Sequence, residues 1–141
     1  MAVKAQTLTV ESRTERLIAV REFVSAAAKE FGFSDDEVSK ITLAVDEACT
    51  NIIKHAYKYD PGKTIVVTVR GGNGSFEIAI MDTGADFNPT AVPSPDMKEY
   101  LSHYRRGGLG MYLMKSLMDK VEYKIQPGQR NEVRLTKYLH R

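Results

Sequence analysis

The stretch Ile41–Tyr57, ITLAVDEACTNIIKHAY, decides the fold that this sequence predicts. Its apolar residues recur at spacings of three and four, the period of a helix that buries one face. Glu47, Asn51 and His55 recur at spacings of four and are expected to stack along another face. A carboxylate can act as a general base and an amide oxygen can bind a hard metal ion, although an ordinary mixed polar face shows the same spacing. The apolar stripe consists of Val38, Ile41, Val45, Ala48 and Ile52.

The bulk composition predicts a single globular domain, 1–141. Of the 141 residues 43% are hydrophobic and 27% are charged, so the chain can bury a core. The formal net charge of +2 is too small to favour direct binding of nucleic acid. The sequence has no apolar run of membrane-spanning length and no signal-peptide segment at its start, so we expect no membrane association and a cytoplasmic location. The one cysteine, Cys49, is expected to be a small buried residue.

The remaining elements follow in an order that does not give repeated βαβ units. Ser34 with Glu37 forms a capping box that should begin the central helix, and Gly71–Gly74 should form a hairpin turn. We therefore predict an α/β (α+β) two-layer sandwich with three main helices on one face of a largely antiparallel sheet. The predicted strands are 5–11, 64–70, 75–82, 121–126 and 132–139, and the other two helices are 14–31 and 111–119.

Asp82 is expected at the core-facing end of a strand. It shares the parity of Phe76, Ile78 and Ile80, and in a strand residues of equal parity point to the same side. A carboxylate on the core side needs a polar partner to offset its desolvation. A turn-forming aspartate before Gly84 is the alternative interpretation.

A lid of about 86–106 precedes a possible anion site. The segment contains three prolines and no periodicity, and long irregular segments in compact domains are often functional. It ends in Arg105 and Arg106, and the glycine cluster Gly107–Gly110 then opens a helix. Backbone N–H groups at such a helix start can bind an anion, although glycines also make hinges. The P-loop and dinucleotide motifs are absent from the sequence, so the phosphate chemistry would be of another type.

In this order, these motifs resemble the nucleotide-binding boxes of the GHKL ATPase superfamily. The resemblance spans nearly the whole chain. Within the superfamily, the signatures DTGADFNP, from Asp82, and GGLGMYLMKSLMD, from Gly107, resemble those of the bacterial anti-sigma factor serine/threonine-protein kinases. The matching boxes are Glu47-x-x-x-Asn51-x-x-x-His55-x-Tyr57 for the N box, Asp82-x-Gly84 for the G1 box and Gly108-x-Gly110 for the G2 box.

The resemblance implies an activity and a set of partners. It implies binding of ATP with Mg²⁺, sequestration of a sigma factor, and phosphorylation of a serine on an anti-anti-sigma (STAS-type) antagonist, usually by a homodimer. Glu47 would be the general base, Asn51 the magnesium ligand and Asp82 the acceptor for the adenine amino group. Arg105 or Arg106 would steady charge on the transferred group. The other implied nucleotide contacts are His55, Gly84, Gly107, Gly108, Leu109 and Gly110.

One departure from the family pattern affects the adenine site. Many relatives open the last strand with a Gly-Thr pair, whereas this chain has Arg130 and Asn131 there. Asn131 would then be a substitute polar contact, or the contact is absent.

Two alternatives remain at this point. A non-catalytic nucleotide-binding module that only switches partners would keep the same boxes, but it would not need Glu47 as a base. Part of a split sensor kinase would need a separate helical segment that bears the acceptor histidine.

Overall fold

The computed structural model describes residues 3–82, 109–126 and 130–140, in which a five-stranded sheet carries helices on one face. Neighbouring strands are antiparallel throughout, in the order β1-β2-β3-β5-β4. The predicted two-layer sandwich is therefore confirmed. Its elements are β1 (Val3–Glu11), α1 (Leu17–Phe31), α2 (Asp35–Asn51), β2 (Thr64–Gly72), β3 (Ser75–Asp82), α3 (Leu109–Leu117), β4 (Lys120–Gln126) and β5 (Arg130–Tyr138), with a 3₁₀ turn at Thr14–Arg16 and a π turn at Ile52–Ala56.

The core lies between the helices and the inward face of the sheet. Alternate residues of β2 and β3 are buried, because successive side chains of a strand point to opposite faces of the sheet. Helix α1 packs on β1 and β2, and α2 packs on β3 and β5. Helix α3 packs beside α2 and against β4. Within the described residues, no helix is both long and apolar enough to span a membrane. The predicted apolar stripe is buried at every position, from Val38 in α2 to Ile52 in the π turn.

The entry into α2 follows the local signals in the sequence. Gly32 ends α1 in the left-handed conformation, with φ of 118°, and its N–H reaches back to the carbonyl oxygens of the last helical turn. Ser34 then accepts a hydrogen bond from the backbone N–H of Glu37 at 3.2 Å. Because both ends of this short connection are fixed, α2 turns back along α1, and Arg21 near the start of α1 reaches Asp46 near the end of α2.

The hairpin between β2 and β3 turns on two residues rather than four. Asn73 and Gly74 both have positive φ, 55° and 77°, which matches the mirror-image turn favoured by right-twisted strands. Strand β2 therefore runs to Gly72 instead of ending at Arg70 as predicted. This register carries β3 to Asp82, the strand end that the sequence predicts.

Candidate functional site

Glu47 and its neighbour Asp46 differ sharply in what they contact. Asp46 accepts a hydrogen bond from Arg21 of α1 at 2.9 Å, so this carboxylate helps to hold the two helices together. Glu47 lies one residue further around α2, is partly exposed, and has no ion pair or hydrogen bond to any described residue. Of the two adjacent carboxylates, Glu47 is thus the one available to accept a proton.

Asn51, the last residue of α2, is buried and has an unpaired hydrogen-bond donor. Asn51 is 6% exposed, and its amide nitrogen Nδ2 has no hydrogen-bond partner among the described residues. Since buried amides are normally paired, this donor suits an acceptor supplied from outside, such as a phosphate oxygen. The amide oxygen is of the hard type that Mg²⁺ prefers. The amide oxygen of Asn51 is therefore of the kind that the predicted magnesium ligand requires, and its Nδ2 could donate to a neighbouring phosphate oxygen.

The described residues contain no cluster of three or more His, Cys, Asp or Glu side chains that could hold a metal by themselves. A magnesium ion is compatible with such a site because it usually takes one or two protein ligands and completes its shell with phosphate oxygens and water. Asn51 could supply one such ligand through its amide oxygen, and binding of the ion would then depend on the phosphates of the nucleotide.

The prediction of one uninterrupted α-helix through Tyr57 is wrong beyond Asn51. The N–H of Tyr57 bonds to the carbonyl of Ile52 at 2.9 Å, a five-residue step that makes the last turn a π turn. The Tyr57 ring is buried and its hydroxyl donates to the carbonyl of Thr64 at 2.6 Å, so packing on the sheet overrides the α geometry here. His55 lies in the π turn, partly buried and not one ideal α turn above Asn51.

Asp82 and Asn131 are a pair of buried polar residues at the ends of β3 and β5 in the candidate site. They are opposite each other in the register of β3 and β5, and Nδ2 of Asn131 donates to Oδ1 of Asp82 at 3.2 Å. Both residues are buried, at 3% and 5% exposure. The core-side position predicted for Asp82 is confirmed, and Asn131 supplies a polar partner that its carboxylate needs.

The glycine cluster is only partly visible in this structure. Helix α3 begins at Leu109, and Gly110 follows in its first turn, where backbone N–H groups lack intrahelical acceptors. These groups could bind an anion, as predicted. The other predicted residues of this region, Gly84, Arg105, Arg106, Gly107 and Gly108, and the lid at about 86–106, lie outside the described residues.

Cys49, on α2 between Glu47 and Asn51, is not part of the candidate chemistry. It is completely buried, and this burial raises the pKa of its thiol to about 12, with a smaller contribution from Asp46. A thiol with such a pKa stays protonated and is a poor nucleophile near neutral pH. The prediction that Cys49 is a small buried residue is confirmed.

The structure thus joins Asp82 to Asn131 directly and sets Glu47 and Asn51 on the helix that covers the same two strands. Sequence reasoning did not anticipate the direct contact between Asp82 and Asn131. The signal was present, because Asn131 shares parity with Val133 and Leu135, both buried. Polar residues that keep the parity of a core strand are candidates for a buried contact.

Comparison with known families gives a match over most of the chain. Residues 10–137 match the model of the histidine kinase-like ATPase domain. The chain is 31% identical over 138 residues to a protein of Bacillus mycoides (strain KBAB4) named serine-protein kinase RsbW, covering 95% of this chain and 84% of the relative. It is 35% identical over 138 residues to the protein of the same name from Halalkalibacterium halodurans, covering 95% and 83%.

Solved structures share the fold at low sequence identity. The structure of the RsbU and RsbW domains of Rv1364c from Mycobacterium tuberculosis superposes with a TM-score of 0.66 at 16% identity, covering 99% of this chain and 33% of that chain. In the SiaB–SiaC complex from Pseudomonas aeruginosa, the matching chain gives a TM-score of 0.67 at 9% identity, covering 93% and 88%. These similarities support the two-layer architecture.

Proposed function

Since this chain belongs to the family of histidine kinase-like ATPase domains, we propose that it is a serine-protein kinase that transfers the γ-phosphate of ATP to a partner protein. The observation that carries this proposal is the state of Glu47, a partly exposed carboxylate with no partner among the described residues, four residues before the buried amide of Asn51. The relatives named serine-protein kinase RsbW support the same activity.

The adenine base would lie against Asp82 and Asn131. A buried carboxylate is an acceptor and suits the exocyclic amino group of adenine, which has two N–H donors. Gly84, two residues on, would let the backbone approach the base closely. Placing the amino group here offsets part of the cost of keeping a carboxylate on the core side of the sheet.

The phosphates would lie between the end of α2 and the start of α3. Asn51 would hold Mg²⁺ through its amide oxygen and offer Nδ2 to a phosphate oxygen, while bound Mg²⁺ would neutralise phosphate charge. The N–H groups at the start of α3 would donate to the other phosphate oxygens. The residues proposed to complete this site are His55, Arg105, Arg106, Gly107, Gly108, Leu109 and Gly110.

Glu47 would act on the incoming serine hydroxyl. As the serine oxygen attacks the γ-phosphorus, the bond from that phosphorus to the bridging oxygen of ADP breaks, and the hydroxyl proton passes to the Glu47 carboxylate. A carboxylate that is not already committed to an ion pair has an oxygen lone pair free to accept this proton. Asp46 is less suited to this role, because its carboxylate already accepts a hydrogen bond from Arg21 of α1.

The proposed partners follow from the family resemblance. We propose that the kinase sequesters a sigma factor, that its substrate is a STAS-type anti-anti-sigma antagonist, and that it works as a homodimer in the cytoplasm. A non-catalytic nucleotide-binding module is the second candidate. An open carboxylate at Glu47 favours the kinase, since binding ATP does not require a general base.

Transfer of label from ATP tests the proposal. The protein is incubated with magnesium, ATP labelled at the γ-phosphate and purified STAS-type proteins, each paired with a version in which the candidate serine is alanine. We expect label on one antagonist and none on its alanine version. Binding of ATP by calorimetry without any transfer would contradict the kinase and support the passive module.

A further inference from the structure

Lys137 is a lysine on the helix-facing side of the sheet, at the opposite end of β5 from Asn131. It shares the parity of Val133 and Leu135, which are both buried, and its own side chain is only 12% exposed. A lysine seldom lies in such a position unless its charge is paired. The contacts of its ammonium group therefore indicate what this side chain does.

The ammonium group of Lys137 joins two helices. Its Nζ donates a hydrogen bond at 2.8 Å to the carbonyl oxygen of Leu117, the last residue of α3. It also forms an ion pair at 3.3 Å with Oε2 of Glu37, in the first turn of α2. The last carbonyl groups of a helix lack intrahelical partners and carry partial negative charge, so a cation is stabilising there. Lys137 thus ties the end of α3 to the start of α2.

The neighbours of Lys137 in β5 hold the same end of α3 to the sheet. The N–H of Asp119 donates to the carbonyl of Thr136 at 2.9 Å, and the N–H of Tyr138 donates to Oδ2 of Asp119 at 2.7 Å. These two bonds connect the end of α3 with β5 only. Lys137 adds a link to α2, the helix that carries Glu47.

This anchor lies at the opposite end of α3 from the turn that is proposed to bind phosphate. Because the end of α3 lies beside the start of α2 and the two helices pack together, they run in opposite directions. A helix rises roughly 1.5 Å per residue, so the first turn of α3 lies about 12 Å further along α2, in the direction of Glu47. A shift of α3 at the anchor would therefore also move its first turn relative to Glu47.

We infer that Lys137 is a positioning residue for phosphoryl transfer, which sets where the first turn of α3 lies relative to Glu47. The inference rests on the proposed function, because it needs phosphates at the start of α3. Transfer requires the γ-phosphate and the attacking hydroxyl to be aligned, and a misplacement of about 1 Å can slow a reaction roughly 100-fold. Binding of the adenine base at Asp82, at the other end of the sheet, should not depend on Lys137.

Lys137→Met keeps an unbranched side chain and removes the ammonium group. The kcat for phosphorylation of the antagonist identified by labelling should fall roughly 10- to 100-fold, while KM for the antagonist stays near that of the wild type. Affinity for Mg-ATP should fall roughly threefold to tenfold, and affinity for adenosine, which has no phosphates, should not change.

These measurements are made at a temperature at which thermal unfolding shows both proteins to be folded. A lysine with a purely structural role would lower the free energy of unfolding and leave kcat per folded molecule unchanged. That result would overturn the inference, and so would an equal loss of affinity for adenosine and for Mg-ATP.

Lys40→Met is the matched control. Lys40 also contacts Glu37, at 3.7 Å, but its second ion pair, to Asp36 at 3.3 Å, stays within α2. This variant removes a lysine from the same glutamate without loosening α3, so its kcat should stay near that of the wild type. A fall in kcat as large as that of Lys137→Met would overturn the inference.

Glu37→Gln tests the α2 side of the link. It should lower kcat by a smaller factor than Lys137→Met, because the bond to Leu117 remains, and combining the two changes should lower kcat no further than Lys137→Met alone. A wild-type kcat in Glu37→Gln, or losses that multiply in the double variant, would overturn the inference. Absence of any transfer by the wild-type protein would instead overturn the proposed function.

Discussion

Nδ2 of Asn131 donates a hydrogen bond to Oδ1 of Asp82 at 3.2 Å, across directly paired positions of β5 and β3. This contact places an amide and a carboxylate together on the helix-facing side of the sheet, beside the buried apolar residues of β3 and β5. Both groups cost free energy to desolvate, and the contact returns only part of that cost. Oδ1 of Asn131 accepts no hydrogen bond from a described residue, so a donor from a ligand could complete the hydrogen bonding of this amide.

Replacing Asp82 with Asn should weaken ATP binding without unfolding the protein. The variant removes the charge that strengthens the hydrogen bond from the adenine amino group, and an amide can present a donor instead of an acceptor. Loss of a hydrogen bond to a charged group corresponds to roughly a 10- to 100-fold fall in affinity. Calorimetry measures the affinity and thermal unfolding checks the fold. Equal affinity in the variant would show that Asp82 does not contact the base.

Glu47→Gln should separate transfer from binding. The amide cannot accept a proton but has nearly the shape of the carboxylate, so phosphoryl transfer should fall by roughly 10²- to 10⁴-fold while Mg-ATP binding stays near that of the wild type. Initial rates of antagonist phosphorylation and calorimetry measure the two properties.

The neighbouring acid provides the matched control. Asp46→Asn removes the exposed ion pair to Arg21, which should lower the free energy of unfolding by at most about 1 kcal/mol and leave the transfer rate near that of the wild type. A fall in rate for Asp46→Asn as large as for Glu47→Gln would mean that the two carboxylates do not have different roles.

Asn51→Ala should reduce the dependence of ATP binding on magnesium. The side chain offers the amide oxygen proposed as the metal ligand and the unpaired Nδ2 proposed for a phosphate oxygen. Titrations with ATP in magnesium and in excess chelator should show a large effect of the metal in the wild type and a much smaller one in the variant. If magnesium strengthens binding equally in both proteins, Asn51 is not a metal ligand.

The strand position of Asp82 and the start of α2 could both be predicted from the sequence. The parity of β3 is set by its buried residues, so the position of Asp82 at the core-side end of the strand follows from Phe76 and Ile78. The start of α2 follows from Ser34, whose capping bond is local. Such features depend on residues close in sequence, and a pattern can therefore reveal them.

Side-chain contacts that depend on how the helices and strands pack together could not be predicted from sequence patterns. Whether Asp46 or Glu47 pairs with an arginine depends on how α1 packs on α2, and Arg21 is 25 positions away. The π turn after Asn51 depends on burial of Tyr57 and on its bond to Thr64. In both cases tertiary packing decides the arrangement, and at the π turn it overrides the local preference for α geometry.

The buried thiol of Cys49 predicts a pH dependence of stability. Its pKa rises from 9.0 to about 12 on folding, so between these values the unfolded chain loses a proton that the folded chain keeps. The stabilisation is therefore complete below pH 9 and declines as pH rises toward 12, by up to about 1.4 kcal/mol per pH unit. Urea unfolding of the wild type and of Cys49→Ala across this range should show the steeper decline in the wild type. Parallel curves would contradict the raised pKa.

A final prediction concerns the close approach of β2 to an aromatic cluster under α1. A Cβ at Gly71 would lie 2.5 Å from Cε1 and 2.7 Å from Cδ1 of Phe31, far inside van der Waals contact. Phe31 cannot easily move away, because its ring packs against Phe33 and Phe76 with centroids 5.7 and 5.5 Å apart. Gly71→Ala should therefore lower the free energy of unfolding by about 1–3 kcal/mol, the usual cost of overpacking a core. Gly72→Ala is the control, because a Cβ there meets nothing within 4 Å, and its effect should be neutral or slightly stabilising. If urea unfolding gives the same stability for both variants, the ring of Phe31 does not set the close approach of the strand.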